Sequence, residues 1–561
     1  MWSVVQYRQI GKHVERDWHR QRHQGGDPYG NSKLLEAGAG SGLRNVESIA
    51  QHTSEESSTE NETDGSPTSL EKHGSPEPER NGIDGSKGTN EKIVVQLQGD
   101  ADPLDPRNWS LAARCKNIAI LSFLIFSQGW ASGADSMANT RMSEAYGVSK
   151  TASNLSQATF LFGIGSGCLF CGPLSETIGR NPVYLGSTFC YLCFVLGCAF
   201  TPNLGSRIVC RYFVGLFASA ALGINGASVS DQFRPVKRAF AFPIIAWANV
   251  AAPMLAPVAG GWLVQDPHRS WHWADWVTLM ISGAAFLVAL LFLPETYLPV
   301  LLDWRAKNLR RVTEASSARY TYVSEHAEKA PLAQRLRHTL PMPVVYFKNE
   351  PVVAVLGSYL ILIYILLFSF LSGFDYIFTQ TYGLSHGQTG SCFASIAAGS
   401  TVFTLSAPLL FRWSRDKTDH VRHAPVKPEY RLWPAIVTSP LLPISLFWLG
   451  WTDYASLPIW SGLAACFCFG VVATAFYVSS YEYIVDSYTE HSAVALASIT
   501  MARYLIAGTM VVAARPMYEG IGVHWTMTLL GCLALPLAPA PLLLKWYGEK
   551  LRAKSPLAES P

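Results

Sequence analysis

The sequence has little charge. Asp, Glu, Lys and Arg make up 15% of its 561 residues, whereas a soluble chain carries about 25%. The net charge is only +3, and no basic patch suited to nucleic acid stands out. The 11 cysteines fall almost wholly inside apolar stretches, which excludes a secreted disulfide scaffold. No P-loop, nucleophile elbow or dinucleotide fingerprint is found, so we expect neither an enzyme nor a bound cofactor or metal.

The first 105 residues are polar. Residues 1–23 are rich in Arg, His and Trp and lack an apolar core of signal-peptide length. Ser, Glu, Gly, Asn, Thr and Pro dominate the rest, as in TSEESSTENETDGSPTSLEKHG. Such a composition buries too little apolar surface to offset the ordering entropy. We therefore predict a disordered tail over residues 1–105.

Twelve apolar runs of about 20 residues follow, each long enough to cross about 30 Å of hydrocarbon. They lie near 117–139, 154–174, 182–202, 207–229, 240–263, 274–294, 351–373, 388–411, 433–451, 457–479, 491–514 and 525–545. Such runs are typical of membrane helices, since barrel strands would be about 10 residues long and alternating. The sequence predicts an all-α membrane protein of two six-helix halves, at 106–294 and 351–545, with a central loop at 295–350 and a C-terminal tail at 546–561.

Lys and Arg are distributed unevenly among the connections. Nine lie in 295–350 and six in 412–431, whereas the alternate connections hold few. The positive-inside rule then places both termini and the central loop in the cytoplasm. Two matched halves, inferred from hydropathy and spacing, also predict a binding site between them near the membrane midplane.

The string GPLSETIGRNPVYL (172–185) directly follows the second run. It resembles the signature loop between helices 2 and 3 of the major facilitator superfamily, and more closely that of the fungal drug:proton antiporter branch. The strings DPLDPRNWS (102–110), DQFRPVKRAFA (231–241) and PETYLPVLL (294–302) also resemble that branch. The resemblance covers about 105–555.

In that family the loop and the end of helix 4 form a latch at the inner face. The resemblance implies that this latch is formed here by Gly172, Glu176, Gly179, Arg180 and Asp231. Thr177 and Asn181 stand where the family often has basic residues, which implies a latch built from fewer charges.

Helix 5 contains APMLAPVAGGW (252–262). It is similar to the antiporter motif G-x-x-x-G-P-x-x-G-G, with Pro257, Gly260 and Gly261 retained and two glycines replaced by alanine. Small residues let helices approach closely and proline bends a span, so the resemblance implies a packed hinge at the outer gate.

Helix 4 carries RYFVG (211–215), which resembles an R-x-x-Q-G motif with Val214 in place of Gln; the arginine of that motif is associated with proton coupling in the family. Arg211 and Asp135 each lie about 9–10 Å outward from the centre of their span at 1.5 Å per residue. Because charges inside a membrane are expensive unless paired or wetted, we expect these two side chains to pair and to couple protons. The alternative is that Arg211 snorkels to the headgroups while Asp135 faces water.

Polar and aromatic residues near the midplane are candidates to line a substrate cavity. They are Gln128, Asn225, Trp247, Asn249, Tyr359, Tyr364, Phe368 and Tyr477. An aromatic cavity with few fixed polar groups suits bulky lipophilic compounds. Glu482 and Asp486 end helix 10 beside a loop without Lys or Arg, and we expect them to be solvated.

The sequence therefore predicts a monomeric transporter in the lipid bilayer. It would export small lipophilic drugs, toxins or secondary metabolites in exchange for protons by alternating access. The expected membrane is the plasma membrane, with the vacuolar membrane as the alternative. Two other functions stay open: a polyamine exporter of the same fold, and a non-transporting nutrient sensor.

Overall fold

A computed structural model describes residues 2–23, 91–99, 101–314, 320–324, 340–409, 427–488 and 492–553, with the isolated positions 334, 337 and 412. The first half contains α2 (Leu111–Gly133), α3 (Asn139–Tyr146), α4 (Lys150–Ser153), α5 (Leu155–Ile178), α6 (Arg180–Ala199), α7 (Leu204–Gln232), α8 (Pro235–Gln265) and α9 (Trp273–Phe292). Before and after it lie α1 (Trp2–His23), β1 (Glu91–Val94), α10 (Leu298–Glu314), β2 (Tyr320–Val323) and α11 (Met342–Asn349). The second half contains α12 (Pro351–Phe374), α13 (His386–Cys392), α14 (Ala394–Leu405), α15 (Trp433–Thr438), α16 (Leu441–Trp451), α17 (Trp460–Ser487), α18 (Ser492–Ala534) and α19 (Ala540–Ala553).

Among the described residues, helices cover most of each of the twelve predicted runs. Ten helical stretches among the described residues are long and apolar enough to cross a membrane. Helix α2 covers the first run with a more polar composition, since Arg114, Lys116 and Gln128 lie within it. Helix α18 covers the eleventh run and the first part of the twelfth, which α19 continues after a turn, and α18 is broken at Gly522, whose φ of 76° is not helical. The prediction of twelve spans in two sets of six is confirmed.

The halves contact each other mainly through α5 and α8 of the first half. Helix α5 packs along α18, and α8 packs along α13 and α14. Within the first half α5 lies tightly against α7. The approach is so close that a side chain at Gly163 or Gly215 would collide with the facing backbone. In lipid no hydrophobic force drives helices together, so close packing at small residues such as glycine holds them in contact.

Both described chain ends lie on one face of the molecule, which we call the terminal face. There Gln6 of α1 exchanges two hydrogen bonds of 2.9 and 3.1 Å with the backbone of Glu295. Arg552 of α19 pairs with Glu429 at 2.7 Å, and the nearby Arg431 donates to the carbonyl of Pro235 at the start of α8. The opposite side is the distal face. That both ends share one face agrees with the predicted topology, and which side of the membrane this is stays a prediction.

The predicted boundary of the N-terminal tail requires correction. Residues 2–23 form α1, and β1 pairs in parallel with β2 of the central loop. Ile10 and Val14 lie on one face of α1 and pack against Ala306 and Leu309 of α10. This spacing of four residues supplies an apolar stripe that the overall polar composition conceals. Residues 24–90 lie outside the described residues.

Candidate functional site

Asp135 and Arg211 are in contact, as their matching depths predict. Asp135 follows the end of α2, and Arg211 lies in the first part of α7. The Nη2 of Arg211 donates to Oδ1 of Asp135, and its Nη1 donates to the carbonyl of Ala131 at 3.0 Å. Both residues are only 3% exposed. The alternative, in which Arg211 reaches the headgroups and Asp135 faces water, is not what the structure shows.

Two further buried residues complete this cluster, and sequence analysis missed both. Arg207 donates to Oδ1 of Asp135 and to Oδ2 of Asp275, each at 2.8 Å. Arg211 also lies 3.2 Å from Oδ1 of Asp275. Each carboxylate is therefore shared by two guanidinium groups. We call Asp135, Arg207, Arg211 and Asp275 the charge network.

Local structure explains why these four side chains meet. Arg207 and Arg211 are four residues apart on α7 and so share one face. Asp275 lies in the first turn of α9, where the positive end of the helix dipole favours a carboxylate. Arg207 is fully buried, and the central carbon of its guanidinium lies 4.7 Å from the centroid of the Trp271 ring.

The charges of the network are balanced and isolated from water. The four side chains are 0–4% exposed, and Ser156 donates to the second oxygen of Asp135 at 2.9 Å. Buried ions are tolerated when well-placed opposite charges and hydrogen bonds compensate for lost hydration. One proton added to either carboxylate would leave a net positive charge in this site.

The latch residues lie at the terminal face. The Nε of Arg180 contacts Asp231 at 3.1 Å, its Nη1 contacts Ser175 at 2.5 Å, and Glu176 acts on it electrostatically. Gly179 joins α5 to α6 with a φ of 110°. The α-carbon of Gly172 faces open space, so packing does not require glycine there.

Glu295 is a buried member of this region that sequence analysis missed. It accepts the backbone N–H groups of Arg180 and Asn181 at 3.0 and 3.1 Å, and a side chain at Gly179 would meet its carboxylate. Burial raises the pKa of Glu295 although four backbone N–H groups oppose the shift. Asn181 donates to the carbonyl of Leu293 at 2.7 Å. The only signal in the sequence was the PETYLPVLL string, whose glutamate caps the start of α6.

Glu482 and Asp486 are paired, so the expectation that they are solvated is wrong. Arg431 contacts Glu482 at 3.1 Å and Asp486 at 2.8 Å. Arg238 of α8 contacts Asp486 at 2.9 Å. Arg431 lies directly before α15, and Arg238 lies in the other half of the molecule. The loop that follows the two carboxylates therefore gives no sign of either arginine. The Arg238–Asp486 pair joins the two halves at the terminal face.

At the distal face the halves meet through small residues. A side chain at Gly261 would lie 2.6 Å from the carbonyl of His386, and one at Gly390 would lie 2.5 Å from the carbonyl of Pro257. A side chain at Gly260 would lie 3.7 Å from its nearest neighbour, the β-carbon of Met137, which is an ordinary contact distance. Of the two motif glycines, only Gly261 is therefore required by this close approach.

The candidate cavity residues of the first half do not converge on one point. Gln128 donates to Thr188 within that half, whereas Trp247 donates to Thr401 of the second half at 2.8 Å. Asn225 and Asn249 are buried, and their side-chain oxygens have no hydrogen-bond partner among the described residues.

In the second half, three of the four candidates come together. The fourth, Tyr359, is not part of this group: its ring stacks on that of Phe476, with 3.6 Å between the ring centroids. The ring centroids of Tyr364 and Phe368 are 6.1 Å apart, and the rings of Tyr364 and Tyr477 both lie against the guanidinium group of Arg503. Sequence analysis missed Arg503, although a single arginine inside an apolar run is itself a signal of function.

Two six-helix halves, close-packed at one face and ion-paired at the other, enclose buried charges within the membrane-spanning region. This arrangement defines a membrane transporter rather than an enzyme. The chain belongs to the Major Facilitator Superfamily, whose family model matches residues 119–512.

Individual relatives agree with this assignment. The MFS-type transporter kojT of Aspergillus flavus is 38% identical over 466 residues, which cover 82% of each chain. The citrinin biosynthesis cluster MFS transporter mrr1 of Monascus ruber is 31% identical, over 88% of this chain and 97% of that protein. Among solved structures, the proton:xylose symporter XylE of E. coli shares the fold with a TM-score of 0.56 at 14% identity, covering 78% of this chain and 96% of that one.

Proposed function

We propose that this transporter exports small, mostly lipophilic secondary metabolites, toxins or drugs in exchange for protons. Similarity to a transporter of a citrinin biosynthesis cluster supports a secondary-metabolite cargo. Large aromatic side chains are buried in the second half, including Tyr364, Phe368 and Tyr477. Aromatic side chains of this kind suit contact with flat, apolar molecules.

The observation that carries proton coupling is the charge network. Protonation of Asp135 would remove its charge and weaken its attraction to Arg207 and Arg211. The two arginines would then share Asp275 alone, with one excess positive charge in a buried site. Because this carboxylate joins the end of α2 to α7, its protonation would loosen the contact and favour the other state of the cycle.

The two faces supply the gates that alternating access requires. Arg238–Asp486 and Arg431 hold the terminal face closed, while the contact of Gly261 with α13 holds the distal face closed. The network lies toward the distal face, since Asp135 precedes the distal helices α3 and α4. We propose that protons enter from that side and that cargo leaves there, with the terminal face in the cytoplasm.

Asp135→Asn in proteoliposomes tests the mechanism. With a panel of neutral and acidic aromatic compounds, we expect transport driven by a pH gradient to be lost and counterflow without a gradient to persist. Asp266→Asn is the matched control, because Asp266 forms an exposed pair with Arg269. Gradient-driven transport equal to wild type in Asp135→Asn would remove this carboxylate from the coupling mechanism.

The proposed setting is the plasma membrane, with a monomer whose two ends lie in the cytoplasm. Labelling of single cysteines introduced near each end of the chain, in intact cells and in permeabilised cells, tests the orientation. Reaction in intact cells with a reagent that cannot cross the membrane would contradict it.

A further inference from the structure

Arg503 is a fully buried cation without a polar partner in the described part of the chain. It lies in the first part of α18, well before the Gly522 break, and is 0% exposed. None of its three guanidinium nitrogens has a hydrogen-bond partner among the described residues. The contrast with Arg207 is direct, since that buried arginine donates to two carboxylates.

Four tyrosine rings surround the guanidinium group. The distances from its central carbon to the ring centroids are 4.4 Å for Tyr364, 5.1 Å for Tyr477, 5.6 Å for Tyr481 and 5.2 Å for Tyr504. We call these five residues the tyrosine cage. Cation–π attraction offsets part of the desolvation but leaves the N–H donors unused.

Two hydroxyl groups of the tyrosine cage are also unused. Those of Tyr364 and Tyr477 are buried without a hydrogen-bond partner among the described residues, whereas that of Tyr481 is 3.1 Å from Thr500. Buried polar groups are nearly always satisfied. Several unsatisfied groups in one place, one of them charged, therefore indicate a missing ligand.

The tyrosine cage lies where the two halves face each other. The Tyr481 ring is 6.4 Å from Phe242 of α8, and a side chain at Gly226 of α7 would contact it at 3.3 Å. Ligands of transporters built from two repeats bind at this interface, where each half can change its contact with the cargo.

We propose that the tyrosine cage binds the anionic group of a small aromatic or conjugated organic acid. A planar guanidinium group presents paired N–H donors that match a carboxylate or a comparable anion. The hydroxyls of Tyr364 and Tyr477 supply further donors, and the rings provide an apolar surface for the body of the molecule. That this acid is the transported cargo rests on the proposed function; the binding site itself does not.

This inference also separates the cargo classes. A polyamine would bring positive charge to a cage that already holds an uncompensated cation, which disfavours its binding. The sequence-based alternative of a polyamine exporter is therefore expected to fail in the same experiment.

Purified full-length protein tests the inference with benzoate, benzamide and benzylamine, which share one ring and differ in charge. We expect benzoate to raise the midpoint of thermal unfolding in a concentration-dependent way. Benzamide should bind at least about tenfold more weakly, because it lacks the charge that Arg503 compensates, and benzylamine should not bind. Equal protection by benzoate and benzamide, or preferred binding of benzylamine, would overturn the inference.

Arg503→Gln should weaken benzoate binding at least about tenfold. Its ligand-free midpoint should equal or exceed that of the wild type, because an unpaired buried charge is removed; a purely structural arginine would lower it. Arg515→Gln, a substitution on the same helix at the partly exposed pair with Glu519, is the control and should retain benzoate binding.

Retained affinity in Arg503→Gln overturns the inference. Should that variant not fold, Tyr364→Phe and Tyr477→Phe serve instead; each should weaken benzoate binding several-fold, and unchanged affinity in both would count against the site. Failure here is distinguishable from failure of proton coupling. Benzoate binding that needs Arg503 but not Asp135 supports the site even where no gradient-driven transport occurs.

Discussion

Two buried sites, one in each half, treat charge in opposite ways. In the first half, two arginines and two aspartates neutralise one another within the charge network. In the second half, Arg503 is surrounded by aromatic rings and has no hydrogen-bond partner in the described part of the chain. One site is complete by itself, and the other has unused donors.

This difference assigns different tasks to the halves. A balanced network responds to a change in its own charge, as protonation would bring, and is suited to coupling. An unbalanced cation responds to an anion from outside and is suited to recognition. The mechanism that we propose therefore separates the proton site from the cargo site, and the link between them is the movement of one half against the other.

The largest expected effect comes from breaking the balanced site. Arg207→Gln leaves Asp135 and Asp275 with a single arginine, and removal of one partner from a buried ion pair costs about 3–5 kcal/mol of stability. The same substitution at Arg503 removes an uncompensated charge and should not destabilise the protein. Thermal unfolding of the two purified variants measures the contrast directly.

A control and a double variant sharpen this test. Arg269→Gln removes an exposed pair with Asp266 and should change stability by no more than about 1 kcal/mol. Arg207→Gln combined with Asp275→Asn restores neutrality and should recover part of the loss. If Arg503→Gln were as destabilising as Arg207→Gln, the proposed difference between the halves would be wrong.

A smaller effect is expected where the halves meet without charge. Gly261→Ala places a methyl group 2.6 Å from the backbone of α13, so the distal face can no longer close and transport should fall by about tenfold or more. Gly260→Ala, the adjacent substitution, meets nothing closer than 3.7 Å and should transport like the wild type. Equal rates for the two variants would show that this close approach is not part of the cycle.

The sequence predicted what depends on local pattern. Twelve apolar runs gave the spans, and the matching depths of Asp135 and Arg211 gave their contact. It did not predict what long-range packing decides. Arg207 and Asp275 stand at the ends of their apolar runs, where a charged side chain is ordinarily explained by contact with water or headgroups, so the local pattern does not show their burial.

The partners of Glu482 and Asp486 were missed for a related reason. One of them, Arg238, lies in the other half of the molecule. Arg503 was visible in the sequence as the lone charge of its apolar run, and the rule that such charges are functional would have found it. Its tyrosine partners come from α12, α17 and α18, so the cage itself could only be seen in the folded chain.

The smallest expected effect extends the contrast to the distal face of the second half. Asp453 lies in the connection between α16 and α17, where burial raises its pKa to about 6 although Thr381 and His524 act in the opposite direction. Its Oδ1 has no hydrogen-bond partner among the described residues. This half thus contains a second buried charge without a salt bridge among those residues, outside the membrane-spanning helices.

The raised pKa of Asp453 determines the sign of its pH effect. Between about pH 4 and pH 6 the folded protein holds a proton that the unfolded chain has released, so stability falls as pH rises through this window and stays lower above it. Solvent close to this connection screens the charge and reduces the expected size to about 1–2 kcal/mol. Asp453→Asn should flatten the pH dependence of the unfolding midpoint in this window and raise the midpoint at pH 7.

Asp266→Asn, at an exposed ion pair on the same face, should leave the slope unchanged. An identical slope in Asp453→Asn and wild type would mean that this carboxylate is ionised in the folded protein at no cost, and the contrast between the halves would then be limited to Arg503.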